Sequence, residues 1–106
     1  VIMVINWSLT MSPFYLFAEI SPKPEHFEEA RDAVMSIVQQ TRDEPGCERF
    51  DLFENEAEHR LYLFEEWRDQ ADLDAHYEKP YTAEVFSKYE NWLLRAPAVS
   101  KMQKRA

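Results

Sequence analysis

The sequence predicts a small α+β domain with a four-stranded antiparallel sheet, its elements in the order β-α-β-β-α-β, and three observations predict it. Two segments, FYLFAEI over 14–20 and RLYLFEEW over 60–67, are rich in aromatic residues, as strands are. A long stretch between them carries apolar residues at spacings of three and four, the period of a helix. Prolines and the single glycine separate these segments where regular structure has to stop.

The first strand, Phe14 to Ile20, ends at Ser21-Pro22-Lys23-Pro24, where two prolines forbid further pairing. Pro24 suits the first turn of a helix, and Phe27, Ala30, Val34, Ile37, Val38 and Thr41 mark one helix from about Glu25 to Thr41. Glu44-Pro45-Gly46 is a turn that puts glycine where a positive φ suits it. Cys47 to Glu54 is the second strand, the polar run Asn55 to His59 a hairpin loop, and Arg60 to Trp67 the third strand. Asp69 starts a helix that Lys79-Pro80 interrupts, and a further helix carries Val85, Phe86, Tyr89, Trp92 and Leu93. Ala98 to Lys104 is a short last strand. The order is the split βαβ arrangement of ferredoxin-like folds, with helices on one face of the sheet. Residues 13–106 form this domain, and 1–12 read as an extension ahead of it. In that extension Met3 and Met11 are both candidate starts, and the apolar arm Val1 to Thr10, if native, has to pack somewhere, a partner subunit being one candidate.

Composition narrows the function. Twenty Asp and Glu against twelve Lys and Arg give a formal charge of −8, the wrong sign for binding phosphate backbones, so no nucleic-acid partner is expected. The apolar start is far shorter than the ~20 residues of a membrane span, and no Lys or Arg precedes Lys23, so neither a membrane helix nor a signal peptide is expected. One cysteine, Cys47, fits a reducing compartment, and the protein reads as cytoplasmic. His26, His59 and His76 lie far apart with no H-E-x-x-H or C-x-x-C, so no metal is expected. A lone glycine leaves no phosphate cradle for a nucleotide cofactor, and no cofactor is expected.

Both faces of the sheet are apolar. Phe14, Leu16, Ala18 and Ile20 alternate with Tyr15 and Phe17, and Leu61, Leu63 and Trp67 alternate with Tyr62 and Phe64. Helices cover only one face, so the other calls for a second copy of the sheet, which predicts a homodimer.

Four pieces now stand in order: Glu44-Pro45-Gly46-Cys47 after an amphipathic helix, Glu65-Glu66-Trp67 ending a strand, Ala71 to His76 in the next helix, and Lys79-Pro80-Tyr81 after it. Together, from about Pro13 to Lys104, they resemble the antibiotic biosynthesis monooxygenase (ABM) domain family, with its E-P-G-C-like turn, E-x-W strand end and A-L-x-x-H helix. Lys79 and Tyr81 replace the serine and histidine of that family's S-P-H-like break. The resemblance implies a dimeric α+β barrel and, in some members, oxygenation of quinol-like aromatics by molecular oxygen without cofactor. A heme-degrading branch of these folds is disfavoured, because Phe17 lies near its strand-one asparagine, while His76 and Phe86 replace its tryptophan and histidine.

Such chemistry needs a base and a dry pocket, because a phenol gives up electrons more readily once deprotonated. His76 is the candidate base, since histidine ordinarily titrates near pH 6.5, and Asp72, four residues earlier on the same helical face, is expected to orient its ring. Trp67 is a candidate stacking platform and Glu65 a candidate proton acceptor. Phe17, Tyr77, Tyr81 and Phe86 are candidates to contact a small aromatic substrate. Each has a plainer reading: His76 as an interface histidine, Trp67 as core, Glu65 as an arginine partner or cap, and Cys47 as a small buried hydrophobe. His26 and His59 read as solvated. Two other functions stay open: an isomerase of small phosphorylated carbonyl compounds, with Arg31, Arg42 and Arg49 as scattered anion-site candidates, and a dimeric protein that binds an aromatic metabolite without turnover.

Overall fold

The computed structural model describes residues 12–106, so the expectations for the N-terminal extension lie outside the described residues. Strand β1 (Phe14–Ile20) runs through the middle of the sheet and ends as predicted at Ser21-Pro22. After a 3-10 turn at Pro24–His26 come α1 (Phe27–Met35) and α2 (Val38–Arg42). The single helix expected from Glu25 to Thr41 is therefore broken. At the break the Ser36 hydroxyl donates to the Ala33 carbonyl at 2.7 Å, and the Ile37 amide bonds Val34, three residues back rather than four. A serine that competes for helix carbonyls tightens the last turn and ends the helix.

Strands β2 (Cys47–Asn55) and β3 (Arg60–Trp67) form the hairpin, followed by α3 (Gln70–Tyr77), α4 (Pro80–Trp92) and β4 (Ala98–Met102). The Asp69 carboxylate accepts from the Asp72 amide at 3.0 Å and caps α3, and Pro80 opens α4 at a position where no amide is needed. The strand order is β2-β3-β1-β4, with every neighbouring pair antiparallel. This is the ferredoxin-like α+β fold. Among the described residues no helix is long and apolar enough to cross a membrane.

Alternation divides the sheet into two unlike faces. Phe14, Leu16, Ala18 and Ile20 of β1 and Leu61 and Trp67 of β3 point under the helices and are buried, joined there by Ala30, Val34 and Ile37. The opposite face carries two stacked aromatic pairs across the β1–β3 ladder, Tyr15 on Phe64 at 5.8 Å and Phe17 on Tyr62 at 5.7 Å. Within one chain this face is not buried: Phe17 is 41% exposed, with Phe53 and Met102 exposed beside it. His26 and His59 are also less solvated than expected, His26 stacking on Trp92 and His59 meeting the Phe27 ring edge-on.

The turn before β2 depends on its glycine. Gly46 has φ +79, and a Cβ built there would lie 2.0 Å from Oδ2 of Asp72 on α3. A side chain is refused by both the backbone conformation and the neighbouring helix. Gly46→Ala is expected to destabilise the fold by more than about 1 kcal/mol, several degrees of melting temperature for a domain of this size, read by thermal denaturation.

Candidate active site

Three segments converge beneath the helices: the Glu44 to Cys47 turn that joins α2 to β2, the end of the inner strand β3, and the C-terminal turn of α3. From α3 comes His76, 4% exposed, whose ring lies 5.0 Å from Trp67 and 5.8 Å from Phe50 between ring centroids. Its Nδ1 is 2.9 Å from Oε2 of Glu44, which is buried as well. With Nδ1–H donating to that carboxylate, Nε2 is left for a ligand. The Tyr81 hydroxyl, from the first turn of α4, donates to the same Glu44 oxygen. Glu44 thus gathers two donors from two helices.

Glu65 enters from β3. It is 6% exposed, and its Oε1 accepts a 2.8 Å bond from Nε1 of Trp67. Burial is the main cause that pushes its pKa up from the ordinary carboxylate range to about 7. The charge of Glu44 adds to the rise, and the bond from Trp67 opposes it. Burial and the same two carboxylates push the Cys47 thiol up to about 11, so little of it is thiolate at neutral pH, and the side chain is half-buried against both apolar clusters rather than fully buried as expected.

Glu65 and His76 border a cavity of about 80 Å³ between the sheet and α4, with Leu16, Val34 and Val85 among its apolar walls. Tyr77 and Phe86 border it as well and are 42% and 48% exposed, so they stand at its mouth and meet edge-to-face at 5.9 Å. Four of the expected site residues therefore meet at one cavity: Glu65, His76, Tyr77 and Phe86.

The other four do not. Trp67 is fully buried and serves as a donor to Glu65, with no face open for stacking on a substrate. Tyr81 stands behind Glu44, where its hydroxyl also reaches the Gln40 carbonyl at 3.4 Å. Asp72 does not orient His76: it takes a two-pronged ion pair from Arg68 at 2.9 and 3.1 Å and packs against Gly46. The spacing of four residues holds, but the arginine at position 68 claims the carboxylate. Phe17 lies on the opposite face of the sheet, because it is an odd-numbered residue of a strand whose even-numbered residues face the cavity.

Two groups of the site escaped sequence reasoning. Glu44 lay in a motif read only as a turn, and its histidine partner is 32 residues away, beyond any periodic spacing. Thr82 borders the cavity from α4 with no pattern to mark it. Among the described residues no lysine or arginine borders the cavity. Arg31 pairs with Asp32 and Glu54, Arg42 with Asp51, and Arg49 lies over the Phe64 ring on the far face. No group of three or more potential ligands for a metal ion occurs among the described residues.

Comparison with known proteins agrees with this geometry. The model of the family described as antibiotic biosynthesis monooxygenase (ABM) matches residues 13–88, which include the turn, Glu65, His76 and the start of α4. The chain belongs to this family. Its ABM relatives include "Putative monooxygenase Rv0793" of Mycobacterium tuberculosis, 30% identical over 84% of this chain and 88% of that protein. "Putative monooxygenase YcnE" of Bacillus subtilis is 36% identical over 77% of this chain and 86% of that protein. An uncharacterized protein of Synechocystis, sll1783, is 36% identical over 89% of this chain, which spans 64% of that longer protein. The solved structure of Rv0793 superposes with a TM-score of 0.84 at 28% identity, covering 90% of this chain and 97% of that one. The ABM fold is thus shared along nearly the whole described chain.

Glu65 makes a pH-dependent contribution with a definite sign. Its folded pKa lies above the ordinary 4.5, so the native state holds a proton that the unfolded chain releases between pH 4.5 and 7, and stability falls as pH rises through that window. Glu65→Gln keeps an acceptor for Trp67 without the charge. The stability advantage of that variant over the parent is expected to widen by on the order of 3 kcal/mol between pH 4 and pH 8, read from denaturant midpoints at the two pH values.

Proposed function

We propose that the protein is a cofactor-independent monooxygenase that oxidises a hydroxylated aromatic compound, a quinol or phenol, to the quinone. The observation that carries this reading is an apolar cavity bordered by two buried acid/base groups, Glu65 and His76, with the histidine held in place by Glu44. In a dry site a phenol O–H transfers its proton to Nε2 of His76 or to Glu65, and the phenolate ring becomes electron-rich enough to reduce dioxygen. For a phenol with a hydrogen on its para carbon, oxygen bonds to that carbon. Loss of the carbon-bound hydrogen with cleavage of the O–O bond then yields quinone and water, one oxygen atom going to each. A quinol that instead gives two electrons and two protons to dioxygen leaves quinone and hydrogen peroxide with no oxygen atom inserted, which is the oxidase outcome at the same site. The relatives named as monooxygenases support the general reaction class. The room of about 80 Å³, against the ~150 Å³ of an apolar cavity that holds benzene, favours a single ring seated partly in the mouth between Tyr77 and Phe86.

A phosphorylated carbonyl substrate finds no counter-ion in this cavity among the described residues, so the isomerase reading loses its support. Oxygen uptake by the chelator-treated protein on a panel of hydroquinones, anthrones and catechols tests the proposal. Uptake is expected above the spontaneous rate, and to fall about 100-fold or more in His76→Gln, which can still bond Glu44 but cannot take up the proton. Undiminished uptake in that variant overturns His76 as the base. Ligand retention without any uptake favours a binding protein.

We also propose that the aromatic sheet face is covered by a second copy, giving the dimeric barrel that the family resemblance implies. Phe17, Phe53 and Met102, exposed in one chain, supply a self-complementary apolar patch for a two-fold contact. Light scattering is expected to give twice the 12.7 kDa chain mass at micromolar concentration, and Phe17→Glu to give a monomer. A monomeric parent would remove this reading. The single cysteine supports a cytoplasmic setting.

A further inference from the structure

We propose that Thr82 is a second anchor for the substrate. Its hydroxyl hydrogen-bonds a second oxygen on the ring whose first oxygen meets Glu65 and His76, so that the cavity selects aromatics with two oxygen functions over those with one. The inference rests on the cavity being the substrate site. Thr82 lies in the first turn of α4, is 3% exposed, and borders the cavity together with Glu65 and His76. Its Oγ1 is fully buried and has no hydrogen-bond partner within the protein.

A buried hydroxyl without a partner opposes folding, and valine would fill the same space without that penalty. The other buried hydroxyl in this condition among the described residues, Thr41, does not border the cavity. Tyr89 does border it but commits its hydroxyl to the Ala30 carbonyl at 2.7 Å. Thr82 therefore keeps an uncommitted hydroxyl, shielded from solvent, on a residue of a wall that is otherwise mostly aliphatic and aromatic. A threonine hydroxyl both donates and accepts. It can accept from a phenolic O–H and donate to a quinone carbonyl, and so holds the same ring position before and after oxidation.

Anaerobic calorimetric titration with m-cresol, methylhydroquinone and 4-methylcatechol tests this, since each diol is m-cresol with one hydroxyl added. One of the diols is expected to bind the parent about tenfold more tightly than m-cresol, the gain of one hydrogen bond. Thr82→Ser should keep that gain, and Thr82→Val should lose it while binding m-cresol as the parent does and melting at the same temperature or higher. A gain that survives in Thr82→Val, the absence of a gain for both diols, or a melting temperature several degrees lower in Thr82→Val overturns the anchor and leaves the substrate cavity standing. Failure of all three compounds to bind the parent overturns the cavity reading and this proposal together.

Discussion

The buried contact between Glu44 and His76 is the interaction on which the rest of the site depends. It joins a turn to a helix 32 residues further along the chain, and both side chains are about 95% shielded from solvent. Holding the turn against α3 brings the Gly46 backbone next to Asp72, a distance that only glycine tolerates. It also fixes the imidazole so that Nδ1 is occupied by the carboxylate. Tyr81 ties α4 to the same carboxylate. One side chain thereby sets the positions of the two helices that wall the cavity.

Two carboxylates stand near one histidine, and their surroundings give them different tasks. Glu44 receives donors from His76 and Tyr81, so its charge is matched by hydrogen bonds. Glu65 has a single donor, the Trp67 indole, and burial outweighs that bond and raises its pKa to about 7. One site thus holds Glu44 tied to two donors and Glu65 with its pKa raised toward neutrality by burial. Trp67 contributes by donating to Glu65 from within the core, while Tyr77 and Phe86 supply the aromatic surface at the mouth.

The two faces of the sheet meet different surroundings. Its even-numbered β1 residues and odd-numbered β3 residues face the helices and the cavity, while Tyr15, Phe17, Tyr62 and Phe64 stack on the outer face. Because the period of a strand is two, neighbouring residues such as Leu16 and Phe17 have unrelated surroundings, one lining the cavity and one facing away from it.

The sequence by itself determined the architecture. Both β1 and β3 have the boundaries that their aromatic runs and bounding turn residues predict, Gly46 adopts the positive φ, and Pro80 opens a new helix. These features are local, written in side-chain period and backbone preference. The E-P-G-C, E-E-W and A-D-L-D-A-H fragments also placed the chain in its family and pointed to Glu65 and His76. The break at Ser36 was less legible, because a hydroxyl that bonds a helix carbonyl leaves the apolar spacing intact. Only the tertiary structure decided which group His76 pairs with. Helical spacing nominated Asp72, but Arg68 occupies that carboxylate, and Glu44 arrives from a distant turn. Only the tertiary structure, likewise, set Trp67 behind Glu65, turned Phe17 to the outer face and left the hydroxyl of Thr82, a residue bordering the cavity, without a partner. The physical reason is that a residue's period fixes the face it occupies, whereas its partner is chosen by whatever the folded chain brings to that face.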